Sequence, residues 1–299
     1  MLSVNPCNLC PRECGADRYT QTGYCGCGAD IRIARAALHL WEEPCVSGSR
    51  GSGTVFFSGC PLGCVYCQNH EISRGGKGKA VSTQRLAEIF LALQAQGAHN
   101  INLVTATPYV PQIKQALDLA RPALKLPVVY NCGGYERVET IRALAGYVDI
   151  YLPDLKYFSG ELAQRYSGAG DYFETATAAI REMIAQTGDI RYGEEGLMQR
   201  GVIIRHLVLP GARKDSVAIL NWMNENLPQE KYLLSLMSQY TPRADLPGYP
   251  ELNRRVTSLE YTAVVREAVR LGMTDGFMQQ RGSASEAFIP PFDLTGVSD

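Results

Sequence analysis

The sequence predicts an α/β fold, a partial (β/α)6 TIM-like barrel carrying a cysteine-rich amino-terminal appendage. Three observations lead there. From residue 54 onward, short β-branched or aromatic runs alternate with amphipathic stretches, the pattern of repeated βα units around a parallel sheet. Residues 1–50 instead hold six of the ten cysteines and few apolar runs long enough to build a core, so they read as a loop-rich unit needing a staple. A chain of 299 residues, 45% hydrophobic and 20% charged, suits one large α/β domain with a small addition.

The elements follow in chain order. In the appendage, Cys7, Cys10, Cys14 and Cys25 make C-x2-C-x3-C-x10-C, a four-thiolate set for structural zinc or a second iron–sulfur cluster, with Cys27 in reserve and Cys45 uncommitted. His39 and Trp41 in "LHLWEEP" read as packing between leader and barrel. Strands are expected at Thr54–Ser58, Ile101–Thr105, Val128–Asn131, Val148–Leu152, Val202–Val208 and Tyr232–Met237, short apolar runs of the kind buried on both faces. A helix after Ser82 or Thr83 ends near Gly97, and others begin near Pro111, Glu136, Phe173, Lys214 and Thr257. The barrel is thus expected over residues 51–275. Residues 276–299 are read as an extension laid over it or over a partner.

The chemistry centres on "FFSGCPLGCVYCQNHEIS". Cys60, Cys64 and Cys67 form C-x3-C-x2-C in the loop after the first barrel strand, on the edge where parallel α/β folds build their active sites. Three thiolates within eight residues suit three corners of an iron–sulfur cubane and leave one iron without a protein ligand. Gly59 and Gly63 let the loop turn tightly, and Tyr66 is placed to pack beside the bound group. The competing reading is a structural zinc site that borrows His70 or Cys45 as its fourth ligand.

Composition excludes other classes. A net charge of −1 without a long single-sign run offers no footprint for nucleic acid or an anionic membrane. No run approaches the ~18 apolar residues of a membrane span, no secretory leader is evident, and clustered cysteines in such a chain point to metal in the cytoplasm. "SRGGKGK" lacks the phosphate-loop pattern and reads as a mobile flap.

C-x3-C-x2-C with an aromatic residue before its last cysteine resembles the hallmark of radical S-adenosylmethionine enzymes. "GSGTVFFSGCPLGCVYCQN", "YNCGGYE", "VDIYLPDLKYF" and "IIRHLVLPG" are similar, in order and spacing, to activating enzymes for pyruvate formate-lyase and most of all to the subgroup related to them. The resemblance implies a [4Fe-4S] cluster chelated by S-adenosylmethionine, whose reductive cleavage yields a 5′-deoxyadenosyl radical. It also implies an electron donor such as flavodoxin or ferredoxin, and a glycyl radical enzyme or a peptide as substrate. Asn131, Asp154 and Lys156 match cofactor-contact positions, and the family pattern leaves Arg205 inside the cavity while His206 reads as a core histidine. Gln239 and Tyr240 border the substrate mouth, Gln68 and Asn69 directly after the triad are candidate cofactor contacts, and Cys132 reads as a buried thiol. The family's G-G-E segment is missing: the chain has "LVTATPYVPQ", where Thr105, Thr107 or backbone carbonyls must replace the glutamate. Radical modification of a small molecule or peptide, and a non-enzymatic iron–sulfur or zinc protein, are the competing functions.

Overall fold

A computed structural model describes residues 2–243, 246–279 and 289–298. In chain order the elements are β1 (Ile31–His39), α1 (Pro44–Ser47), β2 (Ser52–Phe57), α2 (His70–Ser73), β3 (Lys79–Val81), α3 (Thr83–Ala95), β4 (Ile101–Val104), α4 (Val110–Ala120), β5 (Val128–Cys132), α5 (Val138–Ala143), β6 (Ile150–Pro153), α6 (Gly160–Ser167), α7 (Tyr172–Thr187), β7 (Arg191–Tyr192), β8 (Met198–Leu207), α8 (Arg213–Asn226), β9 (Leu233–Met237), α9 (Ser258–Arg270) and β10 (Gly276–Met278).

Among the described residues the strands order as β10-β9-β8-β6-β5-β4-β2-β1-β3, with β7 paired to β8. Pairing is parallel from β2 through β4, β5, β6, β8 and β9 to β10. The sheet does not close, which makes it a partial barrel. The six expected strands all form because each is an apolar run covered on both faces. Helix starts follow local chemistry: Ser82 accepts the amide of Arg85, and Thr257 with Glu260 makes a capping box.

Three segments differ from expectation. Residues 31–39, grouped by their cysteine-rich surroundings with the appendage, form β1 and pair antiparallel to β2. Arg32 and Arg35 interrupt the apolar pattern there, but their guanidinium groups turn outward, to the carbonyls of Gly76 and Gly78 and to Asp293. "SRGGKGK" is tied down rather than free: Arg74 donates to the Tyr24 carbonyl, Lys77 pairs with Glu71, and Lys79 opens the edge strand β3. Gly276–Met278, expected to begin a non-strand extension, adds β10 to β9. Only glycine permits that, since at φ 147° a Cβ on Gly276 would meet the Leu234 carbonyl oxygen at 2.0 Å. Residues 289–298 lie along β1, with backbone bonds from Leu294 to Ala34 and from Ala36 to Thr295. The "QQRGSASEAF" part of the expected extension falls, from 280 to 288, outside the described residues.

The leader enters the barrel from below. His39 at the end of β1 pairs with Ser52 at the start of β2, which delivers the next residues to the amino-terminal end of the parallel strands. There Val46 of α1 packs with Val129, Ile150, Leu152, Ile203 and Leu233, and the Asn100 amide donates to its carbonyl at 2.7 Å. This plug closes one end of the barrel and leaves the opposite, carboxyl-terminal edge for the site.

Candidate active site

A cavity of about 310 Å³ occupies the barrel interior. Cys60, Cys64 and Cys67 line it from the loop after β2, joined by Tyr66, Asn131, Asp154, Lys156 and Arg205. The structure therefore brings together the three barrel cysteines and the five residues expected beside the cofactor.

Cys60 and Cys67 are both held protonated by their surroundings. Burial pushes Cys60 up to about 12, and it raises Cys67 as well, with the neighbouring cysteines adding to both shifts. Thiols held protonated in this way release their protons when a metal or cluster takes their place. Ser167 Oγ donates to Cys64 Sγ at 3.1 Å and continues a hydroxyl chain to Tyr157 at 2.8 Å and from there to Tyr66 at 2.7 Å. Tyr66 meets Tyr157, Tyr166 and Tyr240 edge to face at 6.0–6.4 Å. This aromatic wall excludes water from one side of the thiols. Gly59 allows the loop its close approach, since a Cβ there would lie 2.0 Å from Cys27 Sγ.

Below the thiols lies an ionic layer. Asp154, just past β6, stands beside Arg205 of β8 and that beside Ser235 of β9. Asp154 accepts from Lys156 Nζ at 2.5 Å and from Arg205 Nε at 2.8 Å. Burial alone would raise the Asp154 carboxyl, but the charges of Arg205 and Lys156 outweigh it and hold the group below its ordinary range. Burial likewise lowers Lys156, and the Asp154 charge reverses the sign. Arg205 also donates to Asn131 Oδ1 at 2.6 Å and to Glu42 Oε2 at 3.2 Å. His206, on the other strand face, donates to the Leu155 carbonyl and accepts from Ser216, a buried neutral imidazole as expected.

Sequence reasoning missed Glu42 and Glu43. Both line the cavity, as do His39 and Trp41, which were read as packing alone. Glu42 accepts from Asn102 at 3.0 Å, Asn131 at 3.2 Å and Arg205. The available signal was a pair of carboxylates before a proline inside the apolar "LHLWEEPCV". Of the proposed replacements for a G-G-E segment, Thr105 lines the cavity with a φ of 58°, strained for a β-branched residue. Thr107 does not line the cavity; its hydroxyl donates to Glu136 at 2.6 Å and accepts from Tyr130 at 3.3 Å. Gln68, Asn69, Gln239, Tyr240 and Cys132 also line the cavity. Cys132 responds to Glu136, Asp154 and Arg205, and burial pushes its thiol well up.

In the leader, Cys7, Cys10, Cys14 and Cys25 line one small cavity with Arg18. Cys14 and Cys25 present their sulfurs to the same side of Gly23. Burial raises Cys10 to about 12. Cys27 faces the Ser58 carbonyl at 3.4 Å. Arg12, inside the leader's cysteine run, donates to the carbonyls of Pro61 at 2.9 Å and Ser167 at 2.8 Å, so the appendage grips the loop that carries the barrel cysteines.

A thiol-bearing loop at the carboxyl edge of a partial α/β barrel, above a buried ionic layer, defines a metallocluster enzyme. The chain belongs to the radical SAM superfamily, whose model matches residues 54–217. It is 29% identical over 259 residues to the "Uncharacterized protein MJ0674" of Methanocaldococcus jannaschii, covering 84% of this chain and 70% of that one. Among solved structures, methylornithine synthase (PylB) is similar at a TM-score of 0.49 and 16% identity, covering 70% of this chain and 59% of that one. SuiB of Streptococcus suis bound to its precursor peptide SuiA is similar at a TM-score of 0.49 and 13% identity, covering 74% and 46%. The chain spans about half the length of these solved structures.

Membership implies a [4Fe-4S] cluster and S-adenosylmethionine. The donor set fits: three soft thiols share one cavity wall, with polar groups opposite them. Of the two fourth zinc ligands considered, Cys45 packs at the amino-terminal plug and His70 is exposed on α2, and neither lines the cavity. Among the described residues no three His, Cys, Asp or Glu side chains are drawn together as around a single ion, in the barrel or the leader. Among the described residues no helix is long and apolar enough to cross a membrane.

Proposed function

We propose that the protein abstracts a hydrogen atom from a substrate drawn into the barrel. The carrying observation is that Cys60, Cys64 and Cys67 open onto the same enclosed cavity as Asn131, Asp154, Lys156 and Arg205. When bound, the cluster and S-adenosylmethionine supply reductive C–S cleavage and a 5′-deoxyadenosyl group able to take hydrogen. The chain's own residues hold and orient. Cys60, Cys64 and Cys67 are the cluster ligands. Lys156, fixed by Asp154, offers a charged donor to the cofactor carboxylate, and Asn131, fixed by Arg205, offers its amide to the cofactor's polar groups. The tyrosine wall and the α1 plug keep water away.

The motif resemblance favours a glycine backbone of a glycyl radical enzyme as the target, with flavodoxin or ferredoxin as electron donor. The charged floor favours a second reading, a small molecule or peptide carrying a charged group, since a glycine backbone needs no ionic partner. The leader thiols hold zinc or a second cluster. Anaerobic reconstitution followed by reduction with S-adenosylmethionine is expected to yield 5′-deoxyadenosine, and Cys64→Ala to abolish it. Intact S-adenosylmethionine over a fully loaded, reduced cluster refutes the proposal. A glycyl radical signal in a partner separates the activating role from the second reading.

A further inference from the structure

The cavity floor carries three carboxyl groups against two cations, and burial raises those of Glu42 and Glu43, with Arg205 opposing the shift at both. Glu42, Glu43 and Asp154 line it against Lys156 and Arg205, while His39, also at the wall, is pushed down by burial to about 4 and stays neutral. Asp154 takes both cations, and Glu42 takes Arg205 and two amides. Glu43 is left over. It is 8% exposed, and its Oε2 has no hydrogen-bond partner among the described residues although it is fully shielded from solvent. A buried acceptor without a donor costs on the order of 1–3 kcal/mol, more if charged, and at a cavity wall a bound donor is one way to recover that cost.

We propose that Glu43, backed by Ser235 and Glu42, is the recognition site for a cationic nitrogen, an ammonium or guanidinium group, on the substrate. This rests on the proposed substrate cavity and names the class of substrate it takes. The position separates it from the cofactor. Glu43 sits just before the α1 plug at the amino-terminal end of the strands, beside Ser235 of β9, whereas the cysteine loop stands past the carboxyl-terminal end of β2. Ser235 stands in register with Arg205 and Asp154, so Glu43 meets the ionic layer from the side of the plug, next to the contacts of Glu42 with Arg205 and Asn131. A substrate anchored by its charge at the floor presents its more distal carbons upward, toward the thiols. Specificity then follows from desolvation: a neutral isostere reaching the floor leaves the Glu43 oxygen as bare as before, while a cation satisfies it.

The test uses anaerobically reconstituted protein saturated with S-adenosylmethionine, unreduced, and isothermal titration calorimetry. One arm compares n-butylammonium with n-butanol, and the other a capped Gly-Gly-Lys-Gly peptide with its norleucine analogue, so that small-molecule and peptide sources of the same charge are told apart. At least one cation is expected to bind about tenfold tighter than its neutral counterpart, with Glu43→Gln erasing that preference and Glu43→Asp keeping part of it. The wild-type comparison stands even where a variant fails to fold. Equal binding of charged and neutral probes, a preference that survives Glu43→Gln, or displacement of the cation by S-adenosylmethionine overturns the inference. Reducing the same samples and measuring 5′-deoxyadenosine separates the two claims. Nucleoside formed without a cation preference sinks this one alone, and a preference without nucleoside upholds it while sinking the proposed reaction.

Discussion

Replacing Glu136 with glutamine isolates one buried charge and its cost. Glu136 lies in "YNCGGYE", is 1% exposed, and accepts from Thr107 at 2.6 Å and from Tyr130 at 3.2 Å. Burial raises its carboxyl from 4.5 to about 8, the two hydroxyls offsetting only part of the penalty. The folded state therefore holds this proton more tightly than the unfolded state. The stabilisation is complete below the unfolded value of 4.5 and is lost as pH rises through about 8. With one pKa unit worth about 1.4 kcal/mol, the wild type loses about 3 kcal/mol between pH 5.5 and 8.5 on this account. Glutamine has no such slope and keeps both hydroxyl contacts. At about 2 cal/mol/K of unfolding entropy per residue, the Tm difference between variant and wild type should widen by about 5 °C over that range. Scanning calorimetry of the two proteins at matched rates measures it, and every other titrating group cancels in the difference. Parallel Tm–pH curves would refute the argument, because they would mean the carboxyl ionises in place at no cost.

Three further outcomes follow from the site. Arg205→Met leaves Asp154 and Glu42 buried without their guanidinium and should cost about 3–5 kcal/mol, read as a Tm lower by roughly 5–8 °C, with Glu42→Gln added to it restoring part of the loss. Arg12→Ala releases the Pro61 and Ser167 carbonyls and should lower iron retained at the barrel cysteines during gel filtration, leaving the circular dichroism of the barrel unchanged. Gly59→Ala drives a methyl group into Cys27 Sγ at a φ of 85° and should impair cluster loading, with Cys27→Ala recovering part of it; loading equal to wild type would show that the loop relaxes freely.

The six barrel strands, the caps of α3 and α9 and the spacing of Cys60, Cys64 and Cys67 were legible in the sequence because each is a local property: an apolar run, a hydroxyl three residues from an amide, thiols within one loop. The same locality set Arg205 and His206 on opposite faces, since neighbours on a strand must alternate, and the family resemblance put Arg205 on the inner one. What only the tertiary structure decided involves partners far apart in the chain. β1 and β10 exist because a sheet edge was available to pair with, and neither has a strong pattern of its own. The glutamates of "WEEP" became part of the cavity because β1 runs antiparallel and returns the leader to the amino-terminal end of the barrel, where Glu42 meets Arg205 across 163 positions of sequence. A carboxylate pair in isolation reads as solvated surface, and it takes the partial barrel around it to bury those groups and make their charge expensive.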